Sequence, residues 1–363
     1  MTSVPAATSC SPTRPESASN PCITLPFMAR VLLLAALVLT LGAAAAGCGG
    51  DDASSSVPAV DLALDFTPNP VHAPIFAAVR RGFDRDNGIR LRIRQPGEGP
   101  DALKLVASGR VALGVLDIGD LAIARRRGID VVAVGELVNR PLAALVAQPE
   151  IRRPRDLEGR KVGVSGLPSD PAFVKAIMAH DGGDAGKVRE LTIGFNAVSV
   201  LLTRRVAAVP AFWNVEGVAL HLRGREVREF RVDDYGAPPY PEVVLVTARS
   251  TLRRHRDRVR AALRAIAAGI DEVQAHPDAA VRQIAAAAQT DDRRLIGAQL
   301  AAVAPLFQAH LRLDRGVLRR WADFVVRAGL IDRRPQVDRA FDYSLTARAG
   351  AATTAPPAGR AGS

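Results

Sequence analysis

Apolar and polar positions alternate with a period of two in "AVDLALDF" (59–66) and again in "IRLRIR" (89–94), the spacing of strands with one face buried. "VALGVLD" (111–117) and "DVVAVGEL" (130–137) are shorter, denser β-rich runs, and stretches of Ala, Leu and Arg with helical spacing separate all four. A second series follows "RRPRDLEG": strand "KVGVSG" (161–166), helix near 170–180, strand "VRELTIG" (188–194), helix near 197–205 and strand "AAVPAFW" (207–213). After the loop "DDYGAPPYP" comes one more strand, "EVVLVTA" (242–248), and from there the pattern is almost wholly helical. Strand and helix in alternation define an α/β class. The order fits two lobes, each a mixed sheet flanked by helices, joined by crossings near 140–150 and 235–245.

Composition agrees with that size of fold. A chain of 363 residues, 48% of them hydrophobic, can bury a large core. The net charge of +11 would ordinarily direct attention to nucleic acid. Only four of the 48 basic residues are lysine, however, and the arginines are scattered among alanines over every segment rather than gathered into a patch. They read as solvated surface, and nucleic acid is not an expected partner. The six histidines show no metal-ligand spacing, and "HDGGDAGKV" (180–188) lacks the first glycine and the Ser or Thr of a phosphate loop. No metal and no cofactor is expected.

The N-terminal segment reads as an address. In "MARVLLLAALVLTLGAAAAGC" a positive Arg30 precedes an apolar stretch, then small residues, then Cys48, the order of a secretory signal. Residues 1–47 are read as the leader, with Met28 a plausible true start. The leader's Cys10 and Cys22 leave Cys48 as the single cysteine downstream, so no disulfide, zinc knuckle or cysteine nucleophile is available. Residues 48–59 form a polar tether, 60–142 with 243–345 a first lobe, and 143–242 a second. The tail, 346–363, is low in complexity and reads as disordered.

Ala45-Ala46-Gly47-Cys48 resembles a bacterial lipobox, in which the cysteine is lipidated; Ala45 departs from the usual leucine, and plain secretion is the alternative. Across the body, "LDFTPNPVH", "GEGPDALKLVASGRVALGV", "DLEGRKVGV", "GGDAGKV", "EGVALHLRG" and "DDYGAPPYPEVVLVT" together resemble the ThiY-like substrate-binding lipoproteins of ABC importers for thiamine-precursor pyrimidines. The resemblance implies a type 2 periplasmic-binding fold and a monomer outside the cytoplasm, lipid-anchored to the membrane. Its partners would be an ABC permease and its ATPase, its ligand a hydroxymethylpyrimidine. Relatives that bind riboflavin or alkanesulfonates share this architecture, and a periplasmic sensory module is a further alternative, because fold alone does not select function. Eukaryotic relatives are pyrimidine synthases that consume their own histidine and carry a cysteine-rich run. The corresponding 116–122 segment here has no histidine, and 233–247 no cysteine, so an enzyme is not expected.

Ligands of open α/β sheets collect at the carboxyl ends of strands, which selects the candidate residues. The proline-rich corner 64–74 would present Phe66, Asn69 and His72 in a stiff backbone; the resemblance places Phe66 where relatives carry tryptophan. As alternatives, Phe66 is core and His72 a helix-end residue. Asp117, with Asp120 nearby, ends a strand and either caps the next helix or meets the ligand. Gly166 and Ser169 with Asp170 occupy the same kind of corner in the second lobe. "AFWNVEGVA" (211–219) delivers Trp213, Asn214 and Glu216, a stacking face beside an amide and a carboxylate, which suits an aminopyrimidine. Glu216 matches the family's carboxylate, whereas Trp213 stands where many members have a polar residue. Tyr235 and Tyr240 would supply a second stacking face.

Overall fold

A computed structural model of the chain describes residues 57–97 and 101–346. The leader, Cys48 and the tail beyond residue 346 lie outside the described residues. The first sheet is built from β1 (Ala59–Ala63), β2 (Arg90–Arg94), β3 (Leu113–Asp117), β4 (Val131–Val138) and, returning late in the chain, β10 (Val243–Ala248). Their order is β2-β1-β3-β10-β4, with β1 parallel to both neighbours and β10 antiparallel to both of its own. Every residue of β4 and β10 is buried, which explains their unbroken apolar runs. At the edge, β2 turns its arginines outward, and Arg92 and Arg94 both pair with Asp61 on β1.

The second sheet contains β5 (Ala143–Ala147), β6 (Lys161–Val164), β7 (Arg189–Thr192), β8 (Ala208–Phe212) and β9 (Arg228–Arg231) in the order β7-β6-β8-β5-β9. Two of these strands, β5 and β9, are additions to the pattern read from sequence. β5 lies where only a crossing was expected, yet it is nearly all buried and pairs antiparallel with both β8 and β9. The first sheet thus takes its strands from 59–138 and 243–248, and the second from 143–231.

The chain passes between the lobes twice, and the passages are fastened to each other. Glu242, just before β10, donates its backbone N–H to Val138 at the end of β4 (3.1 Å). Its buried carboxylate Oε2 accepts the N–H groups of Leu142 (2.6 Å) and Ala143 (2.9 Å) on the outgoing segment. One side chain therefore ties together the residues about which the lobes would rotate.

Beyond β10 the helix Arg249–Ala275 packs along helix Ala73–Arg81, which covers the same face of the first sheet. Gly269 makes that approach feasible, since a Cβ there would lie 2.0 Å from the Pro74 carbonyl oxygen. The later helix Arg315–Arg327 buries its Trp321 and Val325 in the apolar core and extends them to the space between the sheets. Among the described residues no helix is long and apolar enough to cross a membrane.

Candidate functional site

Between the two sheets, at the carboxyl ends of β1, β3, β6 and β8, lies a cavity of about 130 Å³ with predominantly apolar walls. Its first-lobe corner follows β1. Asn69 has an extended backbone, and its side chain accepts the Val71 N–H (2.9 Å) while donating to the Thr67 carbonyl (3.0 Å). The Asn69 N–H donates to His72 Nδ1 (3.3 Å), which leaves the ring proton on Nε2 to be donated to Asp65 Oδ1 at 2.8 Å. Both ring nitrogens of His72 and both polar ends of Asn69 are thereby committed to the corner itself. These residues border the cavity, but they act as the frame that holds half-buried Phe66 toward it.

The second lobe answers with a different aromatic from the one the sequence singled out. Phe195, on the loop after β7, meets Phe66 across the cavity with ring centroids 4.2 Å apart and planes tilted by 56°. Trp213 is not among the lining residues. Its Nε1 donates to the Pro141 carbonyl (3.2 Å) and the Arg231 guanidinium lies 4.4 Å over its ring, so it packs beside the lobe crossing. Asn214 is wholly buried behind the wall, its side-chain amide without a hydrogen-bond partner among the described residues. Gly166 lies off the lining too; its φ of +98° makes the turn that places Ser165 and Leu167 on it.

Glu216 does reach the cavity. The chain leaves β8 in a π-helical turn, Trp213–Gly217, whose wider winding places Glu216 so that Oε2 accepts the Phe212 N–H at 3.0 Å. Burial among apolar side chains pushes its carboxyl up to about 7. Ser169 also lines the space, and its backbone N–H donates to Asp120 Oδ1 in the first lobe (3.0 Å). Next to it, Asp170 accepts the Ser165 N–H (2.6 Å) and hydroxyl (2.8 Å), and burial raises it to about 6. Tyr240 lines the floor, stacked on Phe324 at 6.3 Å with its hydroxyl 3.4 Å from Glu242 Oε2. Tyr235 instead meets His180 and Phe230 edge-on, away from the lining.

Asp117 ends β3 and precedes helix Ile118–Arg126, yet its side chain makes no capping bond. Its Oδ1 is buried and lacks a partner among the described residues. Burial, and then the nearby charges of Glu242 and Asp120, hold this carboxyl well above the ordinary range. Burial likewise lifts Asp120 and Glu242 to about 7 each. Asp65 and Phe195 follow strands and Phe212 ends one, so the strand-end rule applied at every strand would have found them, whereas Glu242 precedes the antiparallel β10 at its amino end and falls outside that rule. Trp321 comes from a late helix, and no local sequence signal announces it.

A family model described as NMT1/THI5 like matches residues 69–280. The formylaminopyrimidine-binding protein of Halalkalibacterium halodurans is 28% identical over 255 residues, spanning 69% of this chain and 77% of its own. A 4-amino-5-hydroxymethyl-2-methylpyrimidine phosphate synthase of Uromyces fabae is 24% identical over 244 residues, 60% of this chain and 67% of its own. Among solved structures, a Candida albicans gene product exhibiting the generic periplasmic binding protein structural fold superposes with a TM-score of 0.64 at 16% identity, covering 79% of this chain and 96% of its own. The two-sheet architecture is that fold.

Proposed function

The chain belongs to the NMT1/THI5-like family, and from that premise we propose that it is an extracytoplasmic solute-binding protein. It captures a hydroxymethylpyrimidine-type thiamine precursor between its lobes and delivers it to an ABC permease and its ATPase. The observation that carries the reading is Glu216, a buried carboxylate held at the edge of an aromatic-walled cavity between two hinged lobes. An aminopyrimidine stacks through its flat face and donates from its exocyclic amine, and the Phe66–Phe195 pair and Glu216, which border one cavity, offer those two kinds of contact. A ring entering between the phenylalanines must part them, replacing one aromatic contact by two. Closure of the lobes over it would shift the population toward a state that contacts the ligand from both sides.

The synthase reading has less support. The resemblance places the consumed histidine in 116–122, where this chain reads Leu-Asp-Ile-Gly-Asp-Leu-Ala, and no cysteine occurs after Cys48. His72, the histidine that borders the cavity, has both ring nitrogens engaged. In the same proposal Cys48 carries the lipid that anchors the protein; labelled fatty acid is expected in the wild type and not in Cys48→Ser.

Titration calorimetry of the ligand-stripped protein with 4-amino-5-hydroxymethyl-2-methylpyrimidine tests the function. Saturable 1:1 binding is expected. No binding of this compound, with saturable binding of an alkanesulfonate or of riboflavin instead, would falsify the pyrimidine assignment.

A further inference from the structure

The cavity carries acidic groups and no basic counterpart among the described residues. Asp65, Asp117, Asp170, Glu216 and Glu242 border it from both lobes, while among the described residues no lysine or arginine does, although arginine is abundant elsewhere in the chain. His72 offers no compensating charge to a ligand, because its Nε2 proton is spent on Asp65 and its Nδ1 on a backbone N–H. Four of the five carboxylates bond to neighbouring protein groups: Asp65 to His72, Asp170 to Ser165, Glu216 to Phe212, and Glu242 to Leu142 and Ala143. Asp117 is the exception. Aspartate before a helix ordinarily bonds to a free N–H of the first turn, but this one does not, and its buried Oδ1 is left without a partner among the described residues.

A buried carboxyl oxygen without a partner is costly, and Asp117 Oδ1 is one on a half-buried side chain that borders the cavity, where a ligand can supply the missing donor. No group of three or more His, Cys, Asp or Glu among the described residues is arranged to hold a metal ion. The walls are mainly carbon, with Phe66 and Phe195 facing one another, which suits an organic ring rather than a hydrated ion.

We propose that the cavity selects an organic cation, a flat heteroaromatic ring bearing an ammonium substituent, with Asp117 as the counter-ion of that substituent. The proposal rests on the reading of the protein as a pyrimidine-binding protein and moves the preferred arm of the ring from a hydroxymethyl to an ammonium-bearing one. Neutral pyrimidine alcohols then bind as weaker analogues, and anions are rejected by uncompensated repulsion. As the ammonium docks, a carboxyl that is protonated in the empty cavity gives its proton to solvent, so one cation enters as one proton leaves.

Two probes that share one ring test this on the full chain: 4-amino-5-aminomethyl-2-methylpyrimidine, whose arm is an ammonium near neutral pH, and the 5-hydroxymethyl compound, whose arm is neutral. Calorimetry at pH 7 should show the ammonium probe binding about tenfold or more tighter, as expected for a hydrogen bond gained to a charged group. Repeating it in buffers of different ionisation enthalpy should show proton release with the ammonium probe. Asp117→Asn should cost the ammonium probe more affinity than the hydroxymethyl probe. Equal affinities for the two probes, or a preference for the alcohol, overturn the inference while leaving the pyrimidine reading in place. Failure of both probes to bind overturns both.

Discussion

Asp120 Oδ1 and the backbone N–H of Ser169 form a 3.0 Å hydrogen bond between residues 49 positions apart, one in the first lobe and the other in the second. Asp120 lies in the first turn of helix Ile118–Arg126 and Ser169 directly precedes helix Asp170–His180, so the bond exists only when the lobes are together. With Phe66–Phe195 it makes a clasp between the lobes, separate from the crossing segments that Glu242 ties together.

Asp120→Ala should therefore open the ligand-free protein. A typical hydrogen bond contributes a net of about 0.5–1.5 kcal/mol, so affinity for the pyrimidine should fall about 2- to 10-fold. Small-angle scattering should show a larger radius of gyration in the empty variant, with the difference removed at saturating ligand. An unchanged radius and unchanged affinity would mean that the clasp does not govern closure.

Phe66→Ala and Phe195→Ala should each remove about 0.5–1.5 kcal/mol of aromatic contact beyond the area lost, while the melting temperature without ligand changes little because both rings face the cavity. Trp213→Phe should behave in the opposite way. It loses the bond to Pro141, about 1 kcal/mol net, and weakens the Arg231 contact, so stability falls while binding is retained. Calorimetry and thermal melts on the three variants separate cavity from packing.

Glu216→Gln keeps shape and removes charge. Against an aminopyrimidine it should cost about 1.5–3 kcal/mol, the range for a hydrogen bond to a charged group. If binding is unaltered in this variant, the amine of the ligand is met elsewhere in the cavity.

The raised carboxyls make stability depend on pH in a stated direction. Asp120, Glu216 and Glu242 near 7, and Asp170 near 6, keep protons in the folded state that the unfolded chain releases around pH 4. Between those values the folded state binds more protons, so stability is greatest at the acidic end, falls as pH rises from about 4, and levels off above the folded values of about 6 to 7. Thermal melts of the empty protein should fall from pH 5 to pH 8. A saturating ammonium ligand should flatten that slope by supplying counter-charge. A melting temperature that rises over this range would show that these carboxyls are ionised in the folded protein.

Periodicity along the chain was sufficient for the α/β class, eight of the ten strands and the helix at 170–180, because a strand or helix with one buried face repeats its apolar residues at its own geometric period. It missed β5 and β9 because Ala-Ala-Leu-Val-Ala and Arg-Glu-Phe-Arg carry little of that signal; pairing with β8 and with each other makes them strands. The candidate corners at 66, 117, 169 and 216 were legible for a related reason: a strand must end in a loop, and loops at the carboxyl end of a sheet converge on one space. Which side chain of a corner enters that space was not legible. Trp213 and Phe195 are equally plausible stacking residues in one dimension, and a π turn at 213–217 sends the first against the lobe crossing, while the loop after β7 sends the second across the cavity. Asn69 and His72 lie at the cavity, yet their hydrogen bonds turn inward, a matter of partners within 3.3 Å that only the folded corner brings together. The hinge fastening by Glu242 and the clasp of Asp120 on Ser169 join residues 100 and 49 positions apart. Such couplings have no periodic trace, since they depend on where two separately folded sheets come to rest against each other.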